Sequence, residues 1–463
     1  MQNTPKGLRL HIGIFGRRNV GKSSLINAIT QQQTAIVSDT PGTTTDPVEK
    51  PMELLPIGPV LFIDTAGLDD VGALGKQRIK KSQKILDRTD LAIIVTDYDA
   101  AWGEFEQKLA AECLQRNIPT LAVFNKSDCR PQTTDHRLQT HASLPASQGT
   151  TTDLPISPDT RHPTPPINPL VLRSFSEGGS TTNHQPPIHV SAHDPEACRR
   201  IVRDALIPIL PEEYLQQPAI AGDLVRPGEL VVLVVPIDLE APRGRLILPQ
   251  VQTIRDLLDH DACALVTKER ELRALLEKLR EPPALVVTDS QAFLKVDADT
   301  PPDVRLTSFS ILFARLKGDL TTFVKGAETI DQLHPSDRIL IAEACTHHQI
   351  GDDIGRTKIP RWLSQYVGGS LQIDHVQGSD FPEDVSPYKL VIHCGSCTFN
   401  RRHLLTRITR CEAAGVPITN YGITIAKSLG ILNRALSPFE GLGVPTPPDS
   451  MRGRGGTGSA IRG

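Results

Sequence analysis

The chain has almost no surplus of charge of either sign. Its 50 lysines and arginines stand against 53 aspartates and glutamates, for a net charge of −3. That balance gives no electrostatic footprint for nucleic acid or an anionic membrane, and neither is expected as a partner. Aromatics are scarce, at 4 %, so an aromatic-bearing RNA surface is not advertised either. Long hydrophobic runs are missing as well. The longest, "LVVLVVPI" from Leu230 to Ile237, is far too short to span a bilayer. The start, "MQNTPKGLRLHIGIFG", leads directly into a Gly-rich motif and reads as a first strand, not a signal peptide. The expectation is a soluble cytoplasmic protein. Its thiols stay reduced there, so C-x-x-C spacings point to metal or redox chemistry before structural disulfides.

At 463 residues the chain has room for about three domains. Residues 1–215 alternate short apolar strands ("LRLHIGIF", "PVLFID", "LAIIVTD", "TLAVFN") with helical stretches ("KSSLINAIT", "EFEQKLAAECLQ"), the signature of βαβ units and a mainly parallel sheet. Residues 129–187 are rich in Pro, Ser, Thr, Gln and His, lack periodicity, and read as a disordered insertion. A second α/β pattern covers 225–326, with "KERELRALLEKL" among its expected helices. A third covers 327–448, and a Gly-rich tail, 449–463, closes the chain.

Gly16 to Ser23 reads "GRRNVGKS", matching G-x-x-x-x-G-K-[ST] between a strand and a helix. Gly16 and Gly21 let backbone N–H groups wrap phosphates, Lys22 reaches the β- and γ-phosphates, and the Ser23 hydroxyl suits Mg²⁺. "DTAG" ends another strand. There Asp64 can support the Mg²⁺ shell and Gly67 can close on the γ-phosphate. "NKSD" ends a third, and the Asp128 carboxylate can accept two N–H bonds from guanine. "HVSAHD" then offers Ser191 and Ala192 as a last base-side loop.

These motifs, with "DTPGTTTDPV", resemble the TrmE/Era-type class of GTPases. The resemblance implies a P-loop GTPase fold, GTP and GDP as ligands, and nucleotide contacts from Gly16, Asn19, Gly21, Lys22, Ser23, Ser24, Asn125, Lys126, Asp128, Ser191 and Ala192. It implies Mg²⁺ held by Ser23, Thr44 and Asp64, with Thr43 beside the switch threonine. The catalytic set would be Lys22, Thr44, Asp64 and Gly67. Asn19 matches the loop residue that helps bind K⁺ in potassium-stimulated members. Leu68 stands where Ras-like enzymes carry a water-positioning Gln, which implies slow hydrolysis or a catalytic group from elsewhere.

Of eight cysteines, Cys113, Cys129, Cys198, Cys263 and Cys411 are isolated and read as ordinary core or surface thiols. The others sit in "EACTHH" (Cys345, His347) and "VIHCGSC" (His393, Cys394, Cys397), each at the end of an expected strand. Ligands gather at such ends in parallel sheets. Three thiolates with imidazoles suit Zn²⁺ or an iron–sulfur cluster, and a redox pair is a weaker option.

A GTPase followed by "LVVLVVPIDLEAPRGRLILPQVQTIRDLLD" and then C-x-H … H-C-x-x-C resembles the HydF family of FeFe-hydrogenase maturation GTPases over nearly the whole chain. The resemblance implies a homodimer through the middle domain. It implies a 4Fe–4S cluster on Cys345, Cys394 and Cys397, with His347 or His393 as candidate fourth ligand. The activity implied is that of a scaffold and carrier. It receives a diiron precursor from radical-SAM maturases and delivers it to apo FeFe-hydrogenase. The alternative is a ribosome-assembly or tRNA-linked GTPase with a structural zinc domain.

Overall fold

The structure is a computed structural model that describes residues 4–30, 47–65, 82–98, 102–129, 187–210, 214, 218–236, 246–344 and 353–445. The expected insertion, 129–187, falls outside these residues apart from its first and last positions, and the expected tail, 449–463, falls wholly outside them.

The chain divides into two compact units. One is His11–Pro211; the other joins Met1–Leu10 to Glu212–Gly463. Among the described residues, those from Thr4 to Arg9 thus group with the C-terminal part of the chain, just ahead of the first strand of the nucleotide domain.

The His11–Pro211 unit is built on a six-stranded sheet in the order β2-β3-β1-β4-β5-β6. Its strands are β1 (Leu10–Phe15), β2 (Val48–Leu54), β3 (Gly58–Asp64), β4 (Leu91–Asp97), β5 (Thr120–Asn125) and β6 (Ile188–His189). β1 pairs parallel with β4, β4 with β5 and β5 with β6, while β2 runs antiparallel to β3. Central β1 and β4 are apolar and buried along their length, because both faces of a parallel sheet are covered. β2, "VEKPMEL", is a strand that the apolar pattern does not announce. It carries Pro51 and lies at the sheet edge, where a missing N–H costs no ladder bond.

The other unit holds two four-stranded parallel sheets. The first, ordered β10-β9-β7-β8, contains β7 (Leu230–Val234), β8 (Cys263–Thr267), β9 (Leu285–Thr288) and β10 (Arg305–Ser308). The second, ordered β12-β11-β13-β14, contains β11 (Arg338–Glu343), β12 (Gln372–Gln377), β13 (Leu390–His393) and β14 (Ile418–Asn420). One apolar core runs through both, from Ile220 to Phe439. The long helix expected at "KERELRALLEKL" shrinks to Leu272–Leu276. Leu272 is buried in the core, and Leu275, Leu276 and Leu279 pack against it half-buried, so the apolar positions that suggested a longer helix do face the core although the helix itself spans little more than one turn.

The order of the last sheet fixes its crevice. The chain steps from β11 outward to β12, then returns to the other side of β11 as β13. The connections therefore leave in opposite directions between β11 and β13, and a gap opens at their carboxyl ends.

Candidate functional site

In the His11–Pro211 unit, the phosphate loop leaves the end of β1 and enters the helix Lys22–Thr30. Lys22 is buried, and its Nζ donates to the carbonyls of Gly16 (2.9 Å) and Arg17 (2.6 Å). The Arg17 guanidinium grips fully buried Glu106, on the helix Glu104–Gln115, through Nε (2.8 Å) and Nη2 (2.9 Å). Asp64 ends β3. Ser23 Oγ donates to its Oδ2 at 2.5 Å, while its Oδ1 is buried and accepts no hydrogen bond from any of the described residues. Burial raises the Asp64 carboxyl above its usual range, against the Ser23 bond and the nearby Lys22 and Lys50 charges. A hydroxyl beside a buried carboxylate oxygen in need of a partner fits a hydrated Mg²⁺.

The base-side loops are stitched to the phosphate loop. Asn125 Nδ2 donates to Val20 O (3.0 Å), and Lys126 Nζ donates to Asn19 O (2.8 Å) and pairs with Asp97 (2.8 Å). Ser191 Oγ donates to Asp128 Oδ1 at 2.7 Å, and this bond holds the exposed carboxylate below its usual pKa. The motif that the insertion made least legible, Ser191-Ala192, thus reaches Asp128. Ser24 is exposed on the first turn of the helix. Thr43, Thr44, Gly67 and Leu68 lie outside the described residues.

The second site lies at the β11–β13 crevice. Ala342 is in register with His393, so the two strands end side by side. The Ala344 backbone N–H donates to Cys394 Sγ at 3.0 Å. Adjacent parallel strands thus bring Ala344 to Cys394 across 50 positions of sequence. Burial pushes the Cys394 thiol up to about 11, with an opposing pull from backbone N–H donors. Ser396 takes a left-handed turn (φ 54°) and is fully buried. Among the described residues no three His, Cys, Asp or Glu side chains converge on one ion position. Cys345 and His347 lie outside those residues. Cys394 and Cys397, on one loop at a strand end and with a backbone N–H bonded to one sulfur, could supply two of the ligands that a thiolate-held cluster needs.

His393 behaves differently from the expected ligand. It is fully buried, and Arg407 Nη1 donates to its Nε2 at 2.8 Å. Its Nδ1 therefore carries the proton and donates to Cys394 O (2.9 Å), with Ser396 Oγ at 3.2 Å. Burial, reinforced by Arg407, lowers its pKa to about 3 and keeps the ring neutral. Both nitrogens are thus engaged inside the protein. Arg407 in turn stacks on Phe381 and Phe399.

Two residues that the sequence did not flag complete this site. One is Arg407. The other is Lys317, 2 % exposed, whose Nζ donates to Ser396 O (3.0 Å), Cys397 O (3.1 Å) and Phe399 O (2.6 Å). Burial lowers its pKa to about 8, while Cys397 and Cys394 pull the other way. No local signal marks a lysine whose partners are carbonyls some 80 positions away.

Residues 11–126 match the 50S ribosome-binding GTPase family. The tRNA modification GTPase MnmE of Prochlorococcus marinus is 44 % identical over 120 residues, covering 26 % of this chain and 25 % of MnmE. GTPase Der of Wolinella succinogenes is 35 % identical over 133 residues, covering 28 % of each. The chain thus spans only about a quarter of the length of the curated relatives it matches. Among solved structures, Aquifex aeolicus Era bound to GDP and aluminium fluoride is 15 % identical with a TM-score of 0.30, covering 63 % of this chain and 99 % of that one. The nucleotide unit is therefore a P-loop GTPase domain, placed ahead of two further parallel α/β sheets. Residues 220–318 match the hydrogen maturase F dimerization domain, and residues 321–438 match the hydrogen maturase F tetramerization domain. With its GTPase domain, the chain belongs to the HydF family of hydrogen maturases. Among the described residues no helix is long and apolar enough to cross a membrane.

Proposed function

We propose that the protein hydrolyses GTP and acts as a cluster-bearing scaffold in FeFe-hydrogenase maturation. It would receive a diiron precursor from radical-SAM maturases and deliver it to the apo-hydrogenase. The observation that supports this most directly is the bond from Ala344 N–H to Cys394 Sγ at the β11–β13 crevice, with Cys345 next in the chain and Cys397 on the same loop. Cys345, Cys394 and Cys397 would hold three irons of a 4Fe–4S cluster. The fourth position falls to His347 or an exogenous group, because Arg407 occupies His393 Nε2. When bound, the cluster supplies an exchangeable iron corner.

In the GTPase domain, water attacks the γ-phosphorus and the bond to the β–γ bridging oxygen breaks. Lys22, and Mg²⁺ held by Ser23, Thr44 and Asp64, would offset the developing charge. Gly67 would close on the γ-phosphate. Leu68 offers no hydrogen bond to the attacking water, so hydrolysis is slow, and Asn19 supports stimulation by K⁺. Two copies would associate through the dimerization domain. β8 lies at the edge of its sheet, and Val266 on it, with Val251 and Leu258 on the helix Leu248–Asp259, is exposed. Val251 and Leu258 are seven residues apart, on one face of that helix.

The test is iron, zinc and acid-labile sulfide in protein purified without oxygen, beside single Ser variants at Cys345, Cys394 and Cys397. Iron and sulfide lost in the variants support the scaffold. Stoichiometric zinc without sulfide, in protein that takes up no iron, sinks it. The ribosome- or tRNA-linked alternative draws support from the GTPase domain alone.

A further inference from the structure

Lys317 closes the helix Phe309–Lys317, at the end of the region that matches the dimerization domain. An ammonium has three N–H donors, and here three carbonyls of the C-x-x-C loop receive them. The helix braces the loop at two more points. Arg401 Nη1 donates to Leu316 O (2.8 Å) and Gly318 O (2.9 Å). Gly395 faces Ser310, with its missing Cβ 3.8 Å from the Ser310 hydroxyl.

A third segment meets the same lysine. The short turn Lys6–Leu8 buries Gly7 against it. A Cβ on Gly7 would stand 2.5 Å from Phe399 O and 2.9 Å from Lys317 Nζ, so only glycine lets this backbone approach the loop. Two residues after that turn the chain becomes β1, whose far end is the phosphate loop. The strand is stiff and fully buried, so a displacement at Gly16 has a short covalent route to Gly7.

We propose that Lys317 is a positioning residue for the C-x-x-C loop and that Gly7 ties this loop to the strand entering the phosphate loop, so that nucleotide binding changes the mobility of residues 394–400. This deepens the scaffold reading, on which its biological meaning rests. The contacts themselves require no metal.

The experiment is amide hydrogen–deuterium exchange on the full chain, metal-free, with and without Mg²⁺ and a non-hydrolysable GTP analogue. Iron and sulfide uptake is measured in parallel. In the native protein the nucleotide should change exchange at 394–400 several-fold. Lys317→Met should speed exchange there by about tenfold or more without nucleotide, and abolish the response. Should Lys317→Met fail to fold, Gly7→Ala decides. It should keep its GTP hydrolysis rate and iron load yet lose the nucleotide response. A native loop indifferent to nucleotide, or a Gly7→Ala variant with the full native response, overturns the proposal. Absence of iron and sulfide would fail the scaffold reading but leave the exchange result to judge the tether.

Discussion

Gly21 lies at φ 82°, and a Cβ there would meet Asn125 Nδ2 at 2.4 Å. Gly21→Ala must therefore both strain the phosphate loop and push away the base-side strand. Its affinity for a fluorescent GDP analogue should fall by at least about tenfold, for a cost of roughly 1–3 kcal/mol at a strained position. Unchanged affinity would mean that the loop relaxes freely. The isolated thiols give a second test. Burial pushes Cys113 and Cys411 up to about 12 and Cys198 up to about 11. At pH 8 all three stay protonated and shielded, so alkylation followed by mass spectrometry should mark them only in denaturant. At this scale the sequence offered candidates wherever a residue type is obligatory for its chemistry, as at Lys22, Asp128 and the C-x-x-C pair. It was silent about Arg407 and Lys317, which act by hydrogen bonds to distant groups, and it could not foresee that Arg407 would engage the His393 ring.

Among the elements, the end of β14 joins two helices through one side chain. Asn420 caps the helix Tyr421–Ser428 by accepting from Ile423 N–H (2.9 Å), and its Nδ2 donates to Ser310 O (2.9 Å) on the neighbouring domain. Asn420→Ala removes a cap and the side-chain bond to Ser310 O, and should cost about 1–3 kcal/mol in chemical denaturation. Val251→Glu with Leu258→Glu should dissociate the proposed dimer in sedimentation, raising Kd by about tenfold or more per apolar group exposed. Cys263, exposed at the start of β8, should then alkylate faster. An unaltered sedimentation profile would move the interface elsewhere. The buried parallel strands were readable as apolar runs. The edge strand β2 was not, since its Pro and charged residues mimic a loop, and at 268–279 the periodicity marked the apolar positions that meet the core but not the shortness of the helix Leu272–Leu276.

Across the whole molecule, the division into two units predicts two calorimetric transitions. GTP analogue at a hundredfold excess over Kd should raise one by about 2.7 kcal/mol of stability and leave the other in place. A single transition moved as a whole would show that the units unfold together. The discontinuity of the second unit also bears on how the chain is made. The GTPase domain emerges early and can fold at once. The turn around Gly7 must wait for Phe399, roughly 390 residues later, which at ~5–20 residues per second is on the order of twenty seconds to over a minute of synthesis. In topological terms the GTPase domain is an insert, entered and left through two separate strands of chain. A bulky group attached ahead of Gly7 would thus load the turn that meets the thiol loop.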